Sequence, residues 1–353
     1  MKWGSELNKW TGAFQIAAVY VGTVIGAGFA TGKEIVEFFT QYGLYGLISI
    51  LVAGYLFIFF GMKVMTKAID IQATSFMELN NDLFGQTFGK VMNILMTAML
   101  VGVCGVMLSG AEALFVEQLG WGQAVGSLLT ILLCLIVLWA GVKGLFAVNT
   151  FVVPTLVIFN LILMYNSLSQ PFLWPNLFTI ESIDYAWKAV GSAFSYAAFN
   201  LTLAQAVLVP VATEINNKAI IRLGGFIGGA LLTIILISSH ITLSTLPDLL
   251  VYDIPMATIV KNMMSGIYFV YLFIIYGEIF TSLIGNMYGI ERQISQFFKL
   301  RSIWVHIAVI IIVYIIGRIE YGQLLGFLYP LFGYISLIFL LLLWIKPMKN
   351  NES

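Results

Sequence analysis

The chain has 353 residues, of which 60% are hydrophobic and only 10% charged, with a mean hydropathy of +0.96. A soluble domain is usually about half apolar and about a quarter charged, and no soluble fold of this length could hide so much apolar surface. The formal net charge of zero argues against a nucleic-acid partner, and two cysteines and two histidines, all isolated, argue against a disulfide framework or a zinc centre.

Crossing ~30 Å of hydrocarbon takes about 20 mostly apolar residues. By that measure ten spans are expected, near 12–40, 44–66, 89–118, 122–141, 144–166, 187–213, 223–245, 262–289, 302–318 and 323–345. No soluble domain fits in the remainder. The connections near 67–88, 167–186 and 246–261 are short enough to be re-entrant or surface helices. A polar start with no small-residue cleavage site after the first apolar run reads as a retained helix, not a signal peptide.

The first span carries Gly22-Thr23-Val24-Ile25-Gly26-Ala27-Gly28-Phe29-Ala30-Thr31-Gly32. Each glycine weakens a helix by roughly 1 kcal/mol relative to alanine. Unwound backbone survives at bilayer depth only where it lines a cavity. There its freed carbonyls can hold a cation and its N–H groups an anion. The plainer alternative is close helix packing through small residues. Lys33 and Glu34 follow at once and are candidates for an outer gate.

In the third span Glu112 lies toward the outer end, either at a substrate site or at the interface. The sixth span groups Ser195, Tyr196, Phe199 and Asn200 near mid-membrane. Aromatic walls with a few hydrogen-bonding groups suit a substrate pocket, and equally an interhelical polar patch. In the eighth span Glu278 lies mid-membrane, where a charge costs ~2.5–3.5 kcal/mol or more and marks an ion, proton or substrate site. Thr281 and Ser282 follow it. Their hydroxyls suit a hard cation, although mid-helix Ser and Thr also simply bond the preceding turn.

Lysine and arginine are retained on the cytoplasmic side. With the N-terminus inside and ten spans, thirteen of the 17 fall inside and four outside, so both termini are expected in the cytoplasm. Spans one and six, both with expected interruptions, each open a block of five. Blocks of odd number have opposite topology, so a five-plus-five inverted repeat is expected within one transmembrane domain, 1–353, with halves 12–166 and 187–345.

With these motifs the chain resembles the amino acid–polyamine–organocation superfamily and, within it, the YkvI-like group of amino acid permeases. The residues that carry the resemblance are the span-one glycine motif, the Phe194–Phe199 stretch and the Thr213–Asn216 exit of span six. The resemblance implies the leucine-transporter fold, with helices one and six broken. It implies a sodium ion held by the carbonyls of Gly22, Ile25 and Glu278 and the hydroxyls of Thr281 and Ser282. It further implies a substrate carboxylate at the backbone of Gly26, Ala27 and Gly28, and an amine near Ser195, Tyr196 and Phe199. Proton-coupled relatives tend to carry a lysine in span five, and residues 144–166 have none.

The expected function is therefore secondary active transport, sodium-coupled symport of an amino acid or small amine across the cell membrane. No cofactor is expected beyond the coupling ion, Na+ or H+, and no partner beyond the substrate and the bilayer, oligomeric state being left open. Phe29, Tyr196 and Phe199 would wall or gate the pocket, and Glu112 would draw an amine. A proton-coupled permease and a ligand-sensing receptor of the same fold stand as alternatives. An enzyme is not expected, since no catalytic motif appears.

Overall fold

The computed structural model describes residues 8–180, 182–247, 249, 254–297, 302–318, 332–333 and 336–345. Among them there is no β-strand. The chain opens with α1 (Lys9–Val24), whose first turn is capped by the Asn8 side chain accepting from the Trp10 N–H at 3.2 Å. Two short pieces follow, α2 (Ala27–Ala30) and α3 (Lys33–Phe38). Then come α4 (Gly43–Asp70), α5 (Phe76–Leu119), α6 (Gln123–Trp139) and α7 (Val142–Ser167). A short α8 (Leu173–Leu177) precedes α9 (Ile183–Ile215) and α10 (Lys218–Leu243). The described part ends with α11 (Pro255–Met263), α12 (Tyr268–Phe297), α13 (Ser302–Ile316) and α14 (Ser336–Ile345).

Among the described residues six helices are long and apolar enough to cross a membrane, and three shorter apolar ones accompany them. Large apolar side chains such as Leu128, Ile158, Ile311 and Leu341 lie exposed on the outside. In water that arrangement would be costly; in lipid it is the stable one, because helices satisfy their own backbone. Burial separates the helices. In its most apolar window α9 is 89% buried and α7 only 39%, so α9 runs through the middle and α7 along the rim.

The connection expected near 67–88 is mostly helical. Helix α4 continues to Asp70 and α5 begins at Phe76, bending at Gly85, whose φ of 77° and ψ of 170° leave the helical region. The last expected span, 323–345, lies partly outside the described residues, and only its end is seen, as α14.

Helix α10 shows how the centre packs. Side chains added at Gly224 and Gly228 would strike Ile16 and Tyr20 of α1, and at Gly225 and Gly229 they would strike Met62 and Ile58 of α4. Two small-residue faces thus let α10 lie against α1 on one side and α4 on the other, a packing that membrane helices use in place of hydrophobic driving force. Helix α9 packs chiefly on α4, and α5 chiefly on α12.

Candidate functional site

The first span breaks where its glycines lie. Helix α1 ends with the Ile25 N–H donating to the Val21 carbonyl at 2.9 Å, and helical bonding resumes with Ala30 to Gly26 at 2.9 Å. Gly26 is fully extended, at φ −129° and ψ −166°. Among the described residues no backbone N–H reaches the carbonyls of Gly22, Thr23, Val24 or Ile25. A second turn comes at Gly32, where φ of 83° is a left-handed conformation that favours glycine. This stretch is buried, so its freed carbonyls need partners other than bulk water.

Oxygen-bearing side chains of α12 lie beside this stretch. A Cβ built on Gly22 would lie 3.4 Å from Thr281 Cβ, and one on Gly26 would lie 3.4 Å from Ser282 Oγ. Thr281 Oγ1 donates to the Glu278 carbonyl at 3.0 Å, which leaves its lone pairs turned outward from that bond. Helix α5 adds Met107, whose sulfur accepts from the Ala27 N–H at 3.3 Å. Of the predicted ion-site residues, Gly22 thus lies against Thr281, which bonds the Glu278 carbonyl, and Ser282 lies against Gly26, while Ile25 is near them through the chain.

One member of that neighbourhood was missed by sequence reasoning. Asn149 of α7 is wholly buried, and its Oδ1 lies 1.8 Å from the position a Gly22 Cβ would take. Its only sequence signal is an asparagine in an apolar span.

The Glu278 side chain turns elsewhere. It lines a small buried cavity with Phe29, Asn160, Ser239 and Tyr271. Ser239 Oγ donates to Asn160 Oδ1 at 2.9 Å, while among the described residues Glu278 Oε2 and the Tyr271 hydroxyl have no hydrogen-bond partner. Among the described residues Glu278 makes no ion pair.

The sixth-span expectation needs correction. Helix α9 is continuous from Ile183 to Ile215, with no break at Ser195–Asn200. Alanines at 193, 197, 198, 204 and 206 favour an unbroken helix, and no glycine interrupts residues 192–215. Asn200 Nδ2 donates to the Tyr196 carbonyl at 3.0 Å, so that polar side chain braces the helix instead of lining an unwound stretch. Tyr196 is wholly buried among Phe38, Phe39 and Phe57, with ring centroids at 5.1, 5.0 and 6.0 Å. Phe199 stacks on Phe332 at 6.4 Å, and Ser195 Oγ lies 2.8 Å from where a Gly333 side chain would begin.

The remaining predicted residues are placed as follows. Glu34 is buried, 3% exposed, and folds back so that its Oε1 is 2.5 Å from the position of a Gly28 Cβ. Its carboxylate thus lies inside, against the start of α2, while Lys33 is half-buried at the start of α3. Glu112 is buried too, and accepts a hydrogen bond from Ser127 Oγ of α6.

No family profile matches the sequence. The chain is 47% identical over 348 residues to the membrane protein YkvI of Bacillus subtilis, covering 97% of this chain and 98% of that one. It is 23% identical over 347 residues to YyaD of the same organism, covering 97% and 99%. Among solved structures it is similar to the Eremococcus coleocola manganese transporter, at a TM-score of 0.71 and 13% identity, over 96% of this chain and 80% of that one. It is also similar to MhsT in complex with L-phenylalanine (TM-score 0.69, 17% identity, 94% and 86% covered). A third is a Na+-coupled sialic acid symporter (0.65, 13%, 98% and 80%). These structures give the fold, that of leucine-transporter-like secondary transporters. Membrane-length helices, the broken first span and the likeness to YkvI along almost its whole length agree: the chain belongs to the YkvI family of membrane proteins.

Proposed function

We propose that the protein is a sodium-coupled symporter of an amino acid or related small amine, working by alternating access in the cell membrane. The observation that carries this reading is the α1–α2 break: carbonyls without backbone partners from Gly22 to Ile25, facing the Thr281–Ser282 pair of α12. Oxygen donors of this kind suit a hard cation. Substrate would bind beside the same break, at Gly26–Gly28 with Phe29 as a wall. The Glu34 carboxylate against Gly28 supports an amine in the substrate. Two of the structural neighbours, MhsT with L-phenylalanine and the Na+-coupled sialic acid symporter, support the substrate class and the ion respectively.

The helix neighbours support ten spans in two inverted halves. Pairing α1 with α9, α4 with α10, α5 with α12 and α6 with α13 maps the contacts of one half onto the other. The α1–α10 contact becomes α9–α4, α1–α12 becomes α9–α5, and α5–α13 becomes α12–α6. Cytoplasmic termini are supported by charge. The ion pairs Lys67–Asp82 (2.9 Å), Lys218–Asp70 (2.5 Å) and Arg292–Glu214 (3.1 Å) join the ends of α4, α5, α9, α10 and α12 that are expected inside. A coupling ion drives transport only by binding one conformation better than the other. An ion shared between the breaking helix and α12 meets that condition, because it holds the two together.

A second reading, proton coupling, is favoured by the Glu278 side chain, a buried carboxyl without an ion pair among the described residues. Such a group is either protonated or matched to a cation. The two readings are separated by thermal unfolding of the purified protein against amino acids and amines, in sodium and in choline. A ligand at 100 times its dissociation constant stabilises by ~2.7 kcal/mol. Stabilisation confined to sodium supports the symporter and names its substrate class; stabilisation indifferent to sodium but dependent on pH supports the proton.

A further inference from the structure

We propose that Asn149 of α7 is a ligand of the coupling cation and sets its preference for sodium, an inference that rests on the sodium reading above. The geometry of this side chain is settled at one end. Its Nδ2 donates to the Leu145 carbonyl one turn earlier, at 2.8 Å, and that bond fixes which atom of the amide is oxygen. The oxygen then points across the helix interface to Gly22, where it occupies the space of the missing side chain.

There it is wholly buried and, among the described residues, has no hydrogen-bond partner. A carbonyl-type oxygen so placed, with nothing donating to it, is costly to keep in a helix that faces a bilayer. It becomes favourable when a cation shares it. The surroundings supply the other ligands, since the same Gly22 position lies 3.4 Å from Thr281 Cβ and the carbonyls from Gly22 to Ile25 accept no backbone hydrogen bond.

The donor set is therefore neutral oxygen from three helices: backbone from α1, hydroxyl from α12 and amide from α7. Divalent ions usually require carboxylates in the ligand shell, and a proton requires a titratable group. An amide oxygen among carbonyls and hydroxyls provides neither, and fits a monovalent metal ion. Gly22 follows as a positional requirement, because any larger residue would displace the amide oxygen. An ion held this way ties α7 to α1 as well as α12 to α1, which widens the difference in affinity between open and closed arrangements.

The test is thermal unfolding of the full-length protein in detergent, titrated with sodium chloride against choline chloride at constant ionic strength and without substrate. The wild type is expected to be stabilised by sodium, and Asn149→Leu, which keeps the branching at Cγ and removes the oxygen, to need at least about tenfold more sodium for the same shift. Its melting temperature in choline should match the wild type. Asn149→Asp keeps an oxygen, so its sodium response should persist and become pH-dependent. An Asn149→Leu protein that titrates at the wild-type sodium concentration overturns the proposal. If that variant does not fold, Asn149→Asp decides: a sodium response that varies with pH supports the ligand role, and one that does not vary overturns it. A wild type indifferent to sodium removes the sodium reading itself, and that failure shows in the wild type before any variant is made.

Discussion

The first and the sixth spans begin the two halves of the proposed repeat, and they take opposite backbone courses. The first has four glycines between residues 22 and 32 and comes apart at Ile25 and Gly26. The sixth has none between residues 192 and 215, is rich in alanine, and stays helical throughout. Equivalent places in a repeat therefore need not share a backbone break. The broken span meets polar side chains from α12 and α7, and the intact one meets the aromatic rings of Phe38, Phe39 and Phe57. We read the first as the place where ion and substrate bind and the second as the wall against which it moves.

The comparison breaks most completely if the space at the open backbone is filled. Gly22→Leu would drive a side chain into Asn149 and is expected to abolish sodium-dependent stabilisation while costing about 1–3 kcal/mol of stability through overpacking. Sodium titration and a melting curve in choline measure the two effects separately. Next in size is the double variant Thr281→Ala with Ser282→Ala, which removes both hydroxyls from α12. Its sodium dependence should fall by about tenfold or more while the break itself persists, read as the sodium concentration that half-saturates the thermal shift.

Glu278→Gln separates the two coupling readings. With sodium as the driver, its sodium response should match the wild type within about twofold, and any pH dependence of ligand binding should weaken. A wild type indifferent to sodium, whose pH-dependent ligand binding becomes independent of pH in this variant, would assign the coupling to the carboxyl. On the intact side, Ala198→Gly in α9 should cost only about 1 kcal/mol and leave the sodium titration where it was. The smallest effect is expected at the inner end, where Arg292 and Glu214 are each more than a third exposed and their pair is worth about 0–1 kcal/mol.

Much of this arrangement was legible in the sequence. Composition alone required helices in lipid, and the apolar runs gave most of the helices to within a few residues. The glycine motif located the break because the weakness of glycine in a helix is a local property. Thr281 and Ser282 were harder to read, since a mid-helix hydroxyl also bonds its own preceding turn, as Thr281 does at the Glu278 carbonyl.

The sixth span was misjudged because a polar cluster was read as a break. Asn200 bonds its own helix at the Tyr196 carbonyl, and polarity without a helix-breaking residue leaves the backbone intact. Glu112 allowed a substrate site or the interface, and its partner could not be read in advance, because which way an α5 side chain faces depends on how α6 packs, and α6 presents Ser127 to it. Asn149 was invisible for the same reason, because its meaning comes from Gly22, 127 positions earlier in the chain.

The most direct test of the central claim is accumulation of a candidate amino acid or amine by proteoliposomes under an inward sodium gradient, with a matched choline control. The account predicts uptake above equilibrium that collapses when the sodium gradient is dissipated. Binding of the same ligand with no accumulation under any sodium gradient would contradict it, and would make the protein a ligand-sensing receptor built on a transporter fold.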